Sequence, residues 1–154
     1  MAAKCYTLAV MTYDTTKFEI REVGGIKGKG LYALKDFEFG EYLLDYTGEK
    51  ITTKLADTLT TKYLFELNKK WTIDGESESN TARYINHSCD PNVEADVVGE
   101  RIKITAARDI EAGEELLIDY GDEYFDEFVR PFGCMCGTPV CRQHKKPKRV
   151  TKKA

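Results

Sequence analysis

Residues 6–23 contain short stretches in which apolar and polar side chains alternate, clearest across Phe18-Glu19-Ile20-Arg21. Alternation at period two predicts a half-buried strand. Gly24-Gly25 stops the pattern, and Gly28-Lys29-Gly30 breaks it again before strand-like Leu31-Tyr32-Ala33. Glu41–Tyr46 predicts another strand, ended by Thr47-Gly48. Thr53–Leu67 carries Leu55, Leu59 and Tyr63 at four-residue spacing with no Gly or Pro, which predicts a helix. Trp71–Asp74 reads as a short strand and Glu76–Asn80 as a polar loop. Val93–Val98 and Arg101–Ala106 flank Gly99-Glu100 and predict a hairpin. Ala112-Gly113 then turns the chain into a last strand, Glu115–Asp119. Many short strands, one helix and several glycine turns imply a mainly β (α+β) domain. There is no internal repeat and no βαβ alternation. Gly28-x-Gly30 lacks the third glycine of a dinucleotide fingerprint and runs into a strand, which argues against a doubly wound nucleotide fold.

At 154 residues, 42% of them hydrophobic, the chain suits one compact domain rather than a disordered polymer. No apolar run reaches the roughly 18–20 residues that span a bilayer, so no membrane partner is expected. The start, Met1–Cys5, lacks a signal peptide's apolar stretch, and an intracellular protein is expected. Five cysteines is an odd count, and three of them crowd into Cys134–Cys141. In a reducing compartment that clustering suggests a metal before a disulfide. The net charge of -3 hides an asymmetry, because residues 145–153 carry six basic groups and no acidic one. This tail reads either as a solvated, disordered end or as a weak nucleic-acid contact or nuclear address.

The densest polar segment is Arg83-Tyr84-Ile85-Asn86-His87-Ser88-Cys89-Asp90-Pro91-Asn92. Three more motifs stand around it in fixed order. Gly28-Lys29-Gly30-Leu31-Tyr32-Ala33 and Tyr46-Thr47-Gly48-Glu49 precede it, and Gly113-Glu114-Glu115-Leu116-Leu117-Ile118-Asp119-Tyr120-Gly121 follows. Cys134-Met135-Cys136-Gly137-Thr138-Pro139-Val140-Cys141 closes the series. Over about residues 17–143 the chain resembles the SET-domain family of protein lysine methyltransferases with a post-SET zinc segment. That resemblance divides the chain into an N-terminal extension (1–16), a SET domain (17–122), a post-SET zinc segment (123–144) and the basic tail (145–154).

The resemblance implies a fold of small curved sheets in which the C-terminal portion threads beneath a preceding loop as a pseudoknot. It also implies S-adenosylmethionine as methyl donor, S-adenosylhomocysteine as product, and a protein substrate with an exposed lysine, such as a histone tail. Gly28, Lys29, Gly30, Tyr32, Arg83, Tyr84, Asn86, His87 and Tyr120 are the cofactor-binding candidates it marks. Tyr120, Tyr46 and Tyr63 are the catalytic candidates, and Tyr46, Tyr63, Ile118 and Tyr120 line the expected lysine channel. Phe132 and Met135 are expected to help close it. Zinc would be held by Cys89, Cys134, Cys136 and Cys141, leaving Cys5 spare. Two residues before the tyrosine the family often carries Tyr or Phe, whereas this chain has Ile118, and di- or trimethylation is expected from the missing hydroxyl.

Glu111, Glu114, Glu115, Asp119, Asp122, Glu123, Asp126 and Glu127 form an acidic band. It reads equally as a surface that steers a basic substrate and as an ordinary solvated face. The chain lacks the family's cysteine-rich pre-SET cluster, and its insert between Gly48 and Trp71 is brief. The competing reading is a non-catalytic SET-like interaction module with structural zinc. The sequence leaves oligomeric state and target open. A chromatin or nuclear location is expected for a eukaryotic source and a cytoplasmic one otherwise.

Overall fold

The computed structural model describes residues 13–144. Cys5, the pattern before residue 13 and the basic tail lie outside them. Strands β1 (Phe18–Gly24) and β2 (Gly28–Ala33) form an antiparallel hairpin. The expected break at Gly28 is instead where β2 starts. Gly24, Gly25 and Gly28 all take positive φ, and this lets the chain reverse within three residues.

The largest sheet draws on β3 (Tyr42–Tyr46), β7 (Asn86–His87), β8 (Val93–Val98), β9 (Arg101–Ala106) and β10 (Leu117–Ile118). Its order is β3-β9-β8-β10-β7. The β8–β9 hairpin has the expected limits, pairing Val98 with Arg101 across Gly99-Glu100, with Gly99 at φ 65°. A third sheet, in the order β4-β6-β5, joins β4 (Glu49–Thr52), β5 (Leu64–Glu66) and β6 (Trp71–Asp74). Buried Leu31, Ala33, Val93, Ile104, Ala106, Leu116 and Ile118 share one core cluster with Phe18 and Phe37, whose rings stack at 5.7 Å. Among the described residues no helix is long and apolar enough to cross a membrane.

The expected helix over Thr53–Leu67 is corrected to a single turn, α1 (Thr53–Ala56), capped by the Thr52 hydroxyl. Five threonines between 52 and 61 oppose a longer helix, because β-branching restricts χ1 and the hydroxyls compete for backbone partners. Thr58 donates to the Leu55 carbonyl, and Thr61 accepts from the Tyr63 amide. Leu64–Glu66 instead finds its backbone partners in β6. Leu55 and Leu59 stay exposed, so their spacing marks no buried face.

The expected strand Glu115–Asp119 is divided between two sheets. Leu116 donates to the Leu31 carbonyl beside the first hairpin, whereas Leu117 and Ile118 enter the large sheet. There β10 pairs in parallel with both β7 and β8, which follow one another in the chain. Strand β10 therefore passes beneath the 88–92 loop that joins them, and this is the threaded topology. Asn92, 1% exposed, fastens the crossing. Its side chain accepts from the Leu117 amide at 2.7 Å and donates to the Glu115 carbonyl at 2.9 Å, while its own amide donates to the Leu117 carbonyl. Replacing Asn92 with Leu leaves an interior donor and acceptor without partners. Loss of about 2–4 kcal/mol of unfolding free energy is expected in denaturant melts. An unchanged midpoint would show that the crossing does not need this clamp.

Candidate functional site

The threading brings Asn86 and His87 beside Leu117 and Ile118, and two cavities form around the junction. The first, about 510 Å³, lies between the β1–β2 turn, the 83–87 segment and residues 128–135. Gly28, Lys29, Arg83, Tyr84, Asn86, His87 and Tyr120 line it, as do Phe132 and Met135. The second, about 470 Å³, is lined by Tyr46, Tyr63, Phe65, Ile118 and Tyr120 among others. Lys62, Tyr63, Arg83, Tyr120 and Tyr124 line both and form a common wall. Gly30 and Tyr32 line neither. Tyr32 is turned towards Arg21, whose guanidinium lies 4.5 Å from its ring centre.

A side chain at Gly30 would have to displace its neighbours. A Cβ there would lie 2.7 Å from Glu115 Oε1, 3.2 Å from the Tyr32 ring and 3.3 Å from Asn86 Nδ2. Asn86 Nδ2 donates to the Lys29 carbonyl at 2.9 Å and to Glu115 Oε1 at 2.8 Å. Glu115 thus links the Gly28–Gly30 backbone to the Asn86 amide. Gly48 is more tightly constrained, since a Cβ would meet the backbone carbonyl of Asp74 where β4 closes on β6.

Tyr120 is fixed at both ends. Its hydroxyl donates to the Ile85 carbonyl at 2.6 Å, and its amide donates to His87 Nδ1 at 3.2 Å. The acceptor role at Nδ1 requires a neutral Nε2–H tautomer. Burial keeps His87 neutral by pushing its pKa down to about 4, and the nearby Asp119 carboxylate only partly opposes this. Nε2 then points at Cys89 Sγ, 3.4 Å away. Tyr120 keeps 36% of its surface accessible, towards the two cavities, although its hydroxyl is desolvated and its pKa is raised. Tyr124 packs edge-on against it at 4.8 Å. Tyr46 donates its hydroxyl to the Tyr63 carbonyl at 2.7 Å, and Tyr63 stacks under the Arg83 guanidinium at 4.4 Å. Tyr63 holds this place from an irregular segment before β5, not from a helix.

Behind His87 the sulfurs of Cys89, Cys134, Cys136 and Cys141 all lie within 4.8 Å of one another, with Cys89 and Cys134 at 3.9 Å. Four thiolates about 2.3 Å from a tetrahedral ion stand about 3.8 Å apart, so the cluster is close to the shape that a metal requires. Donors already face the sulfurs. The Arg142 amide lies 3.3 Å from Cys89 Sγ, and the Thr138 hydroxyl lies 3.3 Å from Cys136 Sγ.

Residues 28–121 match the family profile of the SET domain. The chain belongs to the SET-domain family. It is 36% identical over 151 residues to histone-lysine N-methyltransferase trithorax of Drosophila virilis, a match taking in 87% of this chain and 4% of that protein. It is 37% identical over 128 residues to histone-lysine N-methyltransferase EHMT1 of Homo sapiens, covering 75% of this chain and 10% of the relative. It is 36% identical over 126 residues to the H3 lysine-4 specific histone-lysine N-methyltransferase of Saccharomyces cerevisiae, covering 73% and 12%. The chain therefore spans 4–12% of the length of these relatives.

Glu115 stands in the sequence only as a member of a motif and of the acidic band, and Tyr124 and Arg142, beyond the matched residues 28–121, carry no sequence marking as site residues. For Tyr124 a signal existed in the aromatic pair Tyr124 and Phe128, four residues apart, whose rings meet at 4.8 Å. The acidic band is largely engaged internally. Glu114 pairs with Arg108, Glu115 with Asn86 and Lys27, Asp119 and Asp122 with Arg142, and Asp126 with Arg130. That leaves it less able to act as a steering surface.

The buried hydroxyls have a pH consequence. Burial, with a smaller contribution from neighbouring charges, raises the pKa of Tyr46 and Tyr120 above the usual tyrosine value and that of Tyr124 to about 12. A raised folded-state pKa means that stability is full below the unfolded value of about 10 and declines as pH rises through the folded values. Stability to denaturant should therefore hold up to about pH 9 and fall as the pH rises above about 10. Over the same range, the phenolate absorbance of the folded protein should lag behind that of the denatured chain. Full phenolate absorbance in still-folded protein at about pH 11 would contradict the assignment.

Proposed function

We propose that this SET domain methylates the side-chain amine of lysine in a protein, a histone or another basic protein. S-adenosylmethionine serves as cofactor, and zinc is held by Cys89, Cys134, Cys136 and Cys141. The observation that carries this reading is the pair of cavities meeting at one aromatic wall, with Tyr120 exposed to both. A two-substrate transfer needs that arrangement, with one occupant on each side and a narrow meeting point. The histone specificity of the named relatives supports the substrate class. The reading treats residues 17–122 as the SET unit and residues 123–144 as its post-SET segment.

The first cavity fits the cofactor in size and chemistry. Its volume suits a nucleoside-sized ligand. Backbone at Gly28 and Lys29 is open to close approach, and Lys27, Lys29, Lys62 and Arg83 outnumber Glu78 among its charged lining residues, which suits a carboxylate. Asn86 and His87 form the floor, and Arg83 and Tyr84 support it. When bound, S-adenosylmethionine supplies an electrophilic methyl group on a sulfonium. The chain's own residues prepare the amine. Tyr46, Tyr63, Phe65, Ile118 and Tyr120 wall the second cavity. Burial there lowers a lysine pKa and favours the neutral, nucleophilic form. Aromatic faces also hold methylated ammonium products. Tyr120 and Tyr46 donate their protons to carbonyls, so their oxygens remain free to accept. Tyr120, anchored by Ile85 and His87, fixes the line along which the amine approaches. Its oxygen adds weak CH···O contact at the polarised carbon.

The test is radiolabelled methyl transfer to histones, other basic proteins and whole-cell lysate. Wild type should label a lysine, Tyr120→Phe should lower kcat by about a hundredfold, and Asn86→Ala should raise the cofactor KM. Absence of label from every protein would favour a non-catalytic interaction module.

Product multiplicity follows from Ile118, which is 9% exposed and lines the second cavity without a hydroxyl. A hydroxyl at that position can hold a water that crowds a methylated amine. Mass spectra of a well-used substrate should accumulate di- or trimethyl-lysine, with Ile118→Tyr shifting the product towards monomethyl-lysine. A wild-type reaction that stops at monomethyl-lysine would remove this role from Ile118.

A further inference from the structure

Arg142 directly follows the last cysteine of the cluster and joins it to the segment after β10 that carries Tyr120. Its amide donates to Cys89 Sγ at 3.3 Å. Its guanidinium donates through Nη1 to Asp122 Oδ1 at 2.6 Å and through Nη2 to Asp119 Oδ1. The two carboxylates stand on either side of Tyr120-Gly121. Asp119 Oδ1 also accepts from the Gly121 amide at 2.9 Å. Gly121 takes φ 87°, a conformation that glycine adopts without strain.

The guanidinium also lies 4.7 Å from the ring centre of Phe125. That ring lies 5.2 Å from His87, whose Nδ1 receives the Tyr120 amide. Only 18% of the Arg142 side chain is accessible. Burial opposes its charge, and hydrogen bonding to Asp119, the Cys89 side chain and Asp122 sustains it. A planar fork can hold two carboxylates in fixed relation, which a lysine ammonium cannot do as rigidly.

We infer that Arg142 is a positioning residue for Tyr120, clamping the Asp119–Asp122 turn to the thiol cluster so that the cluster sets the orientation of the tyrosine. The inference rests on the methyltransferase reading for its kinetic part only. A purely stabilising role for Arg142 would alter metal retention or the order of residues 133–144 and leave turnover at saturation unchanged.

The experiment compares the full, zinc-loaded chain with Arg142→Ala and Arg142→Lys. It measures zinc per chain, hydrogen exchange at the Tyr120 amide, and kcat and KM on histones at saturating S-adenosylmethionine. Arg142→Ala should keep its zinc, exchange the Tyr120 amide about tenfold faster, and lose about tenfold to a hundredfold in kcat with KM changed by less than about twofold. Arg142→Lys should recover part of kcat. If Arg142→Ala does not fold, the lysine variant carries the same readouts. Wild-type kcat and Tyr120 exchange in the variants would overturn the inference, as would a loss of kcat that appears only together with loss of zinc. If wild type transfers no methyl group, the methyltransferase reading fails, and exchange at Tyr120 alone decides the positioning role.

Discussion

The structure depends on two residues of strand lying beneath a five-residue loop. Leu117 and Ile118 separate β7 from β8, and almost everything around the two cavities is placed by that insertion. It sets Tyr120 beside His87, and the chain that follows lines the first cavity with Tyr124, Phe128 and residues 132–135 before Arg142 reaches Cys89. Two or three strand pairs would hold such a crossing weakly. Asn92 strengthens it by giving its side chain to the backbone on both sides of Leu116, in effect adding another rung to the ladder. Ser88 closes the opposite end of the loop by donating its amide to the Ile118 carbonyl.

The same economy governs the polar groups nearby. His87 accepts the Tyr120 amide at one nitrogen and faces a cysteine sulfur with the other, so a single tautomer serves both neighbours. Glu115 belongs to the strand segment but contacts the Asn86 amide and fills the space that a side chain at Gly30 would take. Buried polar groups arranged in this way specify geometry, because a displaced member leaves a partner unsatisfied in a low-dielectric interior. The thiol cluster extends that logic outward, with Arg142 attached to it through the backbone and to the tyrosine turn through the side chain.

Legibility in the sequence followed the range of the interactions. Val93–Ala106 was readable because alternation and Gly99 are local, and the hairpin forms where they place it. Thr53–Leu67 misled because Leu55, Leu59 and Tyr63 match helical spacing, while threonine chemistry and the pairing of Leu64–Glu66 with β6 decide the outcome. The grouping of Asn86, His87, Tyr120 and the four cysteines came from family resemblance, since no periodic pattern joins residues 86 and 120. Arg142 lies in the basic-looking run Arg142-Gln143-His144-Lys145-Lys146, where its sequence neighbours give no hint that its own charge is turned inward. Glu115 was hidden in the same manner, within an acidic band whose members look alike until their partners are known.

The shared wall of Tyr63, Arg83, Tyr120 and Tyr124 has a consequence for the order of events. Under the proposed reaction, donor and acceptor would occupy opposite sides of this wall. A spent donor can be replaced while the acceptor stays seated. Repeated transfer to one side chain is then processive, and the number of groups added is governed by the room left beside the wall rather than by how often the acceptor rebinds.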